Sequence, residues 1–432
     1  MRRKGVRAAC VLALAVLICL AMNMAAMLVD TPKMRRNAAQ GAQMLCEQGA
    51  TPQLVGGFLS AQPDNYTSVL MVKIAAYTGE EPFLVRAFGG LRVELSAQED
   101  QTAWEAFCTY ADGSASPSGG LNYARYWHGY TFPLRLLLCV LDLANIQMLL
   151  LFVQLALLCA VVLLMNRRGL GALIPAFFLA YFLMMPSVLG TCLQYMPVSL
   201  LALLACTALL ALEERIEAFT GMPAFFALIG LLTSYMDLLT FPLAALLYPL
   251  VLLLALRLKG GAAGYRLLGE AVACCAAWGA GYAGMWALKW GIVSLVYHSD
   301  FIFSGVLGQA RIRLSADSDG QAISRLDALR VNLNVIVSKA SYLLLLAGMA
   351  LLSLLCGLRR AVLRRSRRPD GRAAVLLFPL AVSLAWYFVM ANHAYQHLYF
   401  TYRNLTGGIF SAYALAVFLP GGMRDGEQPP AR

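Results

Sequence analysis

The sequence predicts an all-α membrane protein of about ten transmembrane helices with a small extracytoplasmic lobe, and three observations predict it. Hydrophobic residues fill 60% of the 432 positions and charged residues only 13%, which is too apolar for a soluble domain of that size. Apolar runs recur at close to the roughly 20 residues that a spanning helix needs. Finally, the basic residues gather on alternate connections between those runs, as in a chain threaded repeatedly through a bilayer.

The first run, Ala8 to Val29, follows Met1-Arg-Arg-Lys-Gly-Val-Arg. A signal peptide is the alternative reading, but the run exceeds the roughly 7–15 apolar residues of such a segment, so residues 1–29 are predicted as a retained transmembrane helix. Behind it lies a polar segment, Asp30 to Gly129, with a Gly/Ser-rich part from Gly113 to Gly120. An amphipathic stretch, Tyr130 to Leu143, completes a lobe predicted over 30–143 with an interfacial helix. Most of the 11 cysteines lie in apolar runs and act as small hydrophobes. Only Cys46 and Cys108, both in this loop, are placed to pair if it faces an oxidising compartment.

Residues 144–420 are predicted as the multispan domain and 421–432 as a tail. Its spans fall near Asn145 to Met165, Gly171 to Leu189, Tyr195 to Leu212, Leu268 to Val296, Val335 to Leu358, Ala373 to Ala391 and Leu405 to Leu419. The block Met222 to Leu256 is too short for two full spans and contains Asp237, with Pro242 close behind. It reads as two short or broken helices meeting at Asp237 near one membrane face.

With the N-terminus inside, the cytoplasmic segments hold 19 of the 34 basic residues and 7 of the 23 acidic ones, a balance of +12 against −1 for the rest. The positive-inside rule therefore predicts a multi-pass protein of the cell membrane with both termini cytoplasmic. The net charge of +11 reports topology, not nucleic-acid binding. The inner loops are short and lack a Gly-rich phosphate loop, which disfavours a pump or a nucleotide-sugar enzyme. All four histidines fall outside, and chemistry is expected there.

Four clusters carry the candidates. The stretch Asn392 to Arg403, N-H-A-Y-Q-H-L-Y-F-T-Y-R, reads as a helical polar wall: Asn392, Gln396, Tyr399 and Arg403 share one face, and His393, His397 and Thr401 the next. The histidine pair has the i, i+4 spacing of a zinc site, but Ala394 stands where zinc peptidases carry glutamate. No metal or other cofactor is predicted, and contact with a substrate hydroxyl or a neighbouring helix fits better. The stretch Tyr123-Ala-Arg-Tyr-Trp-His-Gly-Tyr suits a phosphate and a sugar through Arg125, Tyr126, Trp127 and His128, since guanidinium forks phosphate oxygens and rings stack on pyranoses. Tyr126, Trp127 and Tyr130 are equally readable as interfacial belt residues. Asp237 is costly at membrane depth unless it is paired or wet; a structural role paired with Lys289 is the alternative. The fourth cluster is Asp64-Asn-Tyr-Thr.

Taken together, A-R-Y-W-H-G-Y with Arg135 soon after, L-T-S-Y-M-D-L-L-T-F-P, and N-H-A-Y-Q-H-L-Y-F-T-Y-R before the last span resemble bacterial membrane proteins related to the GT-C glycosyltransferases, over nearly the whole chain. The resemblance implies transfer of a sugar from a polyprenyl-phosphate donor to a cell-envelope glycan acceptor outside the membrane. An acidic residue of the first outer loop would be the base; Asp64 is preferred over Asp30, with a merely solvated loop acid as the alternative. It further implies that Arg403, with Arg125 or Arg135, holds the lipid phosphate, while Asn392, His393, His397 and Tyr402 orient donor or acceptor. The rival functions are a transporter or flippase of a lipid-linked glycan, using Asp237, Glu270 and Lys289, and a glycan polymerase.

Overall fold

In the computed structural model of the protein, residues 2–92, 102–108, 123–300, 305–315, 317–318, 321–363 and 369–420 are described; the Gly113 to Gly120 stretch and the tail 421–432 lie outside them. Regular structure in the described residues is helical, apart from a two-residue antiparallel ladder, Asp317–Ser318 with Gln321–Ala322, and an isolated bridge. Six segments are long and apolar enough to cross a membrane: Arg3–Ala26, Leu143–Arg167, Met196–Phe219, Gly264–Tyr297, Ala340–Leu363 and Gly371–Val389.

The remaining four expected spans are shorter helices: Ile174–Phe182 with 9 residues, Met222–Met236 with 15, Leu243–Lys259 with 17 and Asn404–Phe418 with 15. Each falls below the roughly 20 residues of a full span, so helix length supports six spans rather than ten. Local chemistry shortens two of them. Met185 in a left-handed conformation and Pro186 close off the first, and Asp237 ends Met222–Met236, where the sequence predicts a break. Leu243–Lys259 is apolar around its whole circumference, and residues 243–255 are all buried. A helix without a polar face belongs in the middle of a bundle, and this one forms the centre of the largest hydrophobic cluster.

We number the helices used below in chain order: α1 (Arg2–Ala26), α2 (Pro32–Gln48), α3 (Asn65–Ala76), α4 (Phe83–Gly89), α5 (Ala103–Cys108), α6 (Thr131–Leu138), α7 (Leu143–Arg167), α8 (Ile174–Phe182), α9 (Pro186–Thr191), α10 (Met196–Phe219), α11 (Met222–Met236), α12 (Leu243–Lys259), α13 (Gly264–Tyr297) and α14 (Leu307–Leu314). Helices α2 to α6 form the lobe. Thr31 starts α2, its hydroxyl accepting from the Met34 amide, with Pro32 in the first turn. Met34, Ala38, Ala42 and Leu45 make the apolar stripe of α2 that packs on Val69 and Val72 of α3. A disulfide joins Cys46 near the end of α2 to Cys108 at the end of α5.

Two sets of contacts tie the bundle. At the end away from the lobe, buried Glu213 accepts from Arg168 and Arg257, and Arg257 also pairs with Glu270 at 3.0 Å. Lys4 reaches Glu217 of the same helix. Nearer the lobe, α11 and α13 approach so closely that a Cβ on Gly230 would lie 2.0 Å from the Trp278 carbonyl oxygen, and one on Gly281 would lie 2.1 Å from that of Ala227. Only glycine permits that approach.

Candidate functional site

Asp64 precedes an apolar run and does what an aspartate does there: it caps a helix. Its Oδ1 accepts from the Thr67 amide at 2.8 Å and its Oδ2 from the Thr67 hydroxyl at 2.9 Å. A third donor arrives from the far end of the chain, the Tyr399 hydroxyl, at 3.3 Å from Oδ2. The side chain is a buried carboxylate, at 5% exposure, rather than a solvated loop acid. Burial pushes it above its ordinary value, while the bonds from Thr67 and Tyr399 pull the other way. Asp30, the other candidate base, lies on the surface paired with Arg35.

The wall over residues 392–403 is not one helix. It breaks at His397 (φ −117°, ψ 38°) into Ala391–Gln396 and Leu398–Thr401. The break lets the Thr401 hydroxyl turn inward, to the Asn332 side chain and to the carbonyls of Ala394 and His397. Most of the expected polar face is therefore inside: Asn392, His393, Thr401, Tyr402 and Arg403 are buried. Arg403 is fully enclosed and donates to the carbonyls of Met184, Tyr399 and Ser60, its guanidinium lying 4.6 Å from the Tyr195 ring centre. It clasps two remote segments of chain to its own turn. Tyr402 likewise donates to the Leu183 carbonyl.

His393 and His397 are held by a residue that sequence reasoning missed. One nitrogen of Arg313, on α14, lies 2.7 Å from His393 Nδ1 and 3.1 Å from His397 Nε2. Because His393 Nε2 donates to the Leu239 carbonyl at 2.7 Å, its Nδ1 accepts from Arg313, and the ring is neutral. Burial first, with neighbouring charge second, keeps His393 well below the ordinary histidine range and pushes His397 down to about 4. The ring nitrogens a metal would use face a guanidinium, and among the described residues no group of three or more His, Cys, Asp or Glu is assembled. No periodicity announces Arg313, which lies 80 residues before His393.

Asp237 belongs to the same neighbourhood through the turn after α11. Its carboxylate accepts from the Thr240 amide and, at 2.6 Å, from the Thr240 hydroxyl. That closes the turn in which Leu239 takes a left-handed φ of 64° and offers its carbonyl to His393. The expected pairing with Lys289 is absent: the ammonium, buried in α13, donates to the Phe88 carbonyl and lies over the Phe88 and Trp127 rings. Burial is tolerated because these groups replace the water it loses.

The Arg125 to Arg135 group lies elsewhere. Arg135 donates to the carbonyls of Ala26, Val29 and Tyr77, fastening α6 to the ends of α1 and α3. Tyr77 follows the end of α3 and Asp64 precedes its start; twelve helical residues separate them by about 18 Å. One site thus becomes two. Nor do the aromatics line the membrane surface: Tyr126, Trp127 and Tyr130 are buried, and Trp127 donates to the Met285 carbonyl. Arg125, half-buried, lies over the Tyr126 ring at 5.0 Å. His128 sits with a left-handed φ of 56°, its Nε2 on the Tyr123 carbonyl and its Nδ1 on the Tyr130 hydroxyl.

The surviving candidate site is therefore Asp64, Tyr399, His393, His397 and Arg313, floored by Arg403 and the Asp237 turn. Tyr395, His397, Tyr399 and Arg313 are half-buried and Gln396 is exposed, so its rim reaches the protein surface. A buried base beside hydroxyls, neutral imidazoles and a guanidinium can accept a proton and steady an anion. No family model matches the chain, and no curated protein or solved structure matches it.

Proposed function

We propose that the protein is a glycosyltransferase of the cell membrane that moves a sugar from a polyprenyl-phosphate donor to a cell-envelope glycan on the lobe side, both termini being cytoplasmic. One observation carries the reading: Asp64, from the loop after the first span, meets Tyr399, from the segment before the last apolar helix, across 335 residues of sequence. The chain brings its first-loop carboxylate to the face where a guanidinium and two neutral histidines stand.

In this reading an acceptor hydroxyl displaces Tyr399 from Asp64 Oδ2, where the protein's own bond is longest, and the carboxylate takes its proton as the oxygen attacks the sugar. Arg313 steadies the departing phosphate. Arg403 and Arg135 build the scaffold instead, since their guanidinium groups already serve backbone carbonyls. A transport pathway finds less support, because Asp237 caps its own turn and Glu270 is paired with Arg257.

The test is a mass-spectrometric comparison of surface glycan and lipid-linked sugars in cells carrying wild-type, Asp64→Asn or Arg313→Gln chains. Loss of one sugar with accumulation of its polyprenyl-phosphate monosaccharide supports transfer and names the sugar. Unchanged pools in both variants, at normal protein levels, sink the assignment. Accumulation of a complete lipid-linked oligosaccharide points to export or polymerisation.

A further inference from the structure

A second polar cavity lies about 18 Å from Asp64, at the other end of α3. It is enclosed by the ends of α1 and α3, by α4 with the turn after it, and by residues 127–135. Its space, about 10 Å³ for the centre of a water-sized sphere, admits one water molecule or one ion of similar size.

Most polar groups around it are engaged. Asn23 donates to the Ala87 and Trp127 carbonyls and accepts from Tyr235. Both His128 nitrogens are bonded, and the Tyr77 carbonyl accepts from Arg135. The Thr131 hydroxyl, on a residue 5% exposed, and Arg86 Nε are buried there without a hydrogen-bond partner. A buried donor left unmatched costs about 1–3 kcal/mol, so such pairs mark a missing acceptor.

The charge around the cavity has one sign. Arg86 and Arg135 line it and no carboxylate does. Behind Trp127, the buried Lys289 ammonium has no carboxylate within ion-pair distance among the described residues. Glu81, at the rim, is held by the Tyr77 hydroxyl at 2.6 Å. A water would leave the arginine charge at the cavity and the lysine charge behind it without a counter-charge. An anion offsets the buried charge.

We propose that this cavity is a binding site for a single halide ion, chloride in class, held by Arg86 Nε and the Thr131 hydroxyl. Its size excludes phosphate and sulfate, and its distance from Asp64 separates it from the transfer chemistry. The ion would sit where α1, α3, α4 and α6 converge, so occupancy would tighten the lobe on the bundle.

The test uses the purified full chain in detergent. Thermal unfolding is followed at constant ionic strength in chloride, bromide, sulfate and gluconate, for wild type, Thr131→Val and Arg86→Gln. Wild type is expected to gain on the order of 2 °C per tenfold rise in chloride or bromide once binding saturates, with no gain in sulfate or gluconate. Thr131→Val, close in volume, should lose most of that dependence. Equal midpoints in all four anions, a sulfate effect as large as chloride's, or an undiminished halide effect in both variants would each overturn the proposal. Should the variants fold poorly, anomalous scattering from wild-type crystals soaked in bromide decides it. A peak between Arg86 and Thr131 supports the site, and its absence refutes it.

Discussion

Replacing Asp64 by alanine and by asparagine separates its two duties. Alanine removes the acceptor of both Thr67 bonds and of the Tyr399 bond. Loss of an aspartate cap, the Thr67 amide bond, costs about 1 kcal/mol, and the orphaned Thr67 and Tyr399 hydroxyls add about 1–2 kcal/mol. Asp64→Ala is therefore expected to lose about 2–3 kcal/mol. Asparagine keeps an acceptor for the Thr67 amide, caps as well as aspartate and avoids burying a charge, so Asp64→Asn should stay within about 1 kcal/mol of wild type. Transfer behaves differently, since neither residue takes up a proton: both variants should fall by about 10²–10⁴-fold. The assay pairs unfolding in detergent with turnover of a polyprenyl-phosphate sugar in the same preparation. An Asp64→Asn chain that keeps full turnover refutes the base; one as unstable as Asp64→Ala refutes the cap.

Acidification should destabilise the fold through its buried histidines, two of them in the site and His128 beside the second cavity. His397, held at about 4, His128, held at about 3, and His393, also depressed, bind fewer protons folded than unfolded. The contribution of His397 and His128 is complete above about pH 6.5 and declines as pH falls toward their folded values, by on the order of 1–2 kcal/mol each at pH 5, and His393 acts in the same direction. Asp64, whose value is raised, acts with the opposite sign. A His397→Gln chain should show a shallower loss of unfolding midpoint than wild type between pH 7 and 5. A Cys46→Ser, Cys108→Ser chain opens a loop spanning 62 positions and should lose about 4 kcal/mol of lobe stability, read by limited proteolysis within 32–92. Glu213→Ala takes the carboxylate from Arg168 while Arg257 keeps Glu270; a loss of about 1–3 kcal/mol should lower the unfolding midpoint and the membrane yield.

The helical class, the break at Asp237 and the pairing of Cys46 with Cys108 were legible because each rests on local composition or on a short list of partners. The cap at Asp64 was not read, although an aspartate directly before an apolar run carries that signal. The length of α3 then separates Asp64 from Arg135. What stayed hidden depends on which carbonyls a fold leaves open. Arg403 serves Ser60, Met184 and Tyr399, and Arg135 serves Ala26, Val29 and Tyr77. Nothing in either arginine's flanking sequence distinguishes a carbonyl clasp from a phosphate fork. Arg313 was invisible for the same reason: it meets two histidines only after the chain has folded back on itself.

The Arg403 clasp also sets an order of assembly. Ser60 and Met184 leave the ribosome long before Arg403, which must cross 343 positions of sequence to reach the Ser60 carbonyl. Until then Asp64 lacks Tyr399 and the first loop lacks its latch. The lobe can gather its own core early, through α2, α3 and the disulfide, but the mouth of the site closes only when the final helical pair is in place. A chain interrupted before residue 399 would therefore hold a built lobe over an unlatched site, and completion of synthesis itself becomes the event that completes it.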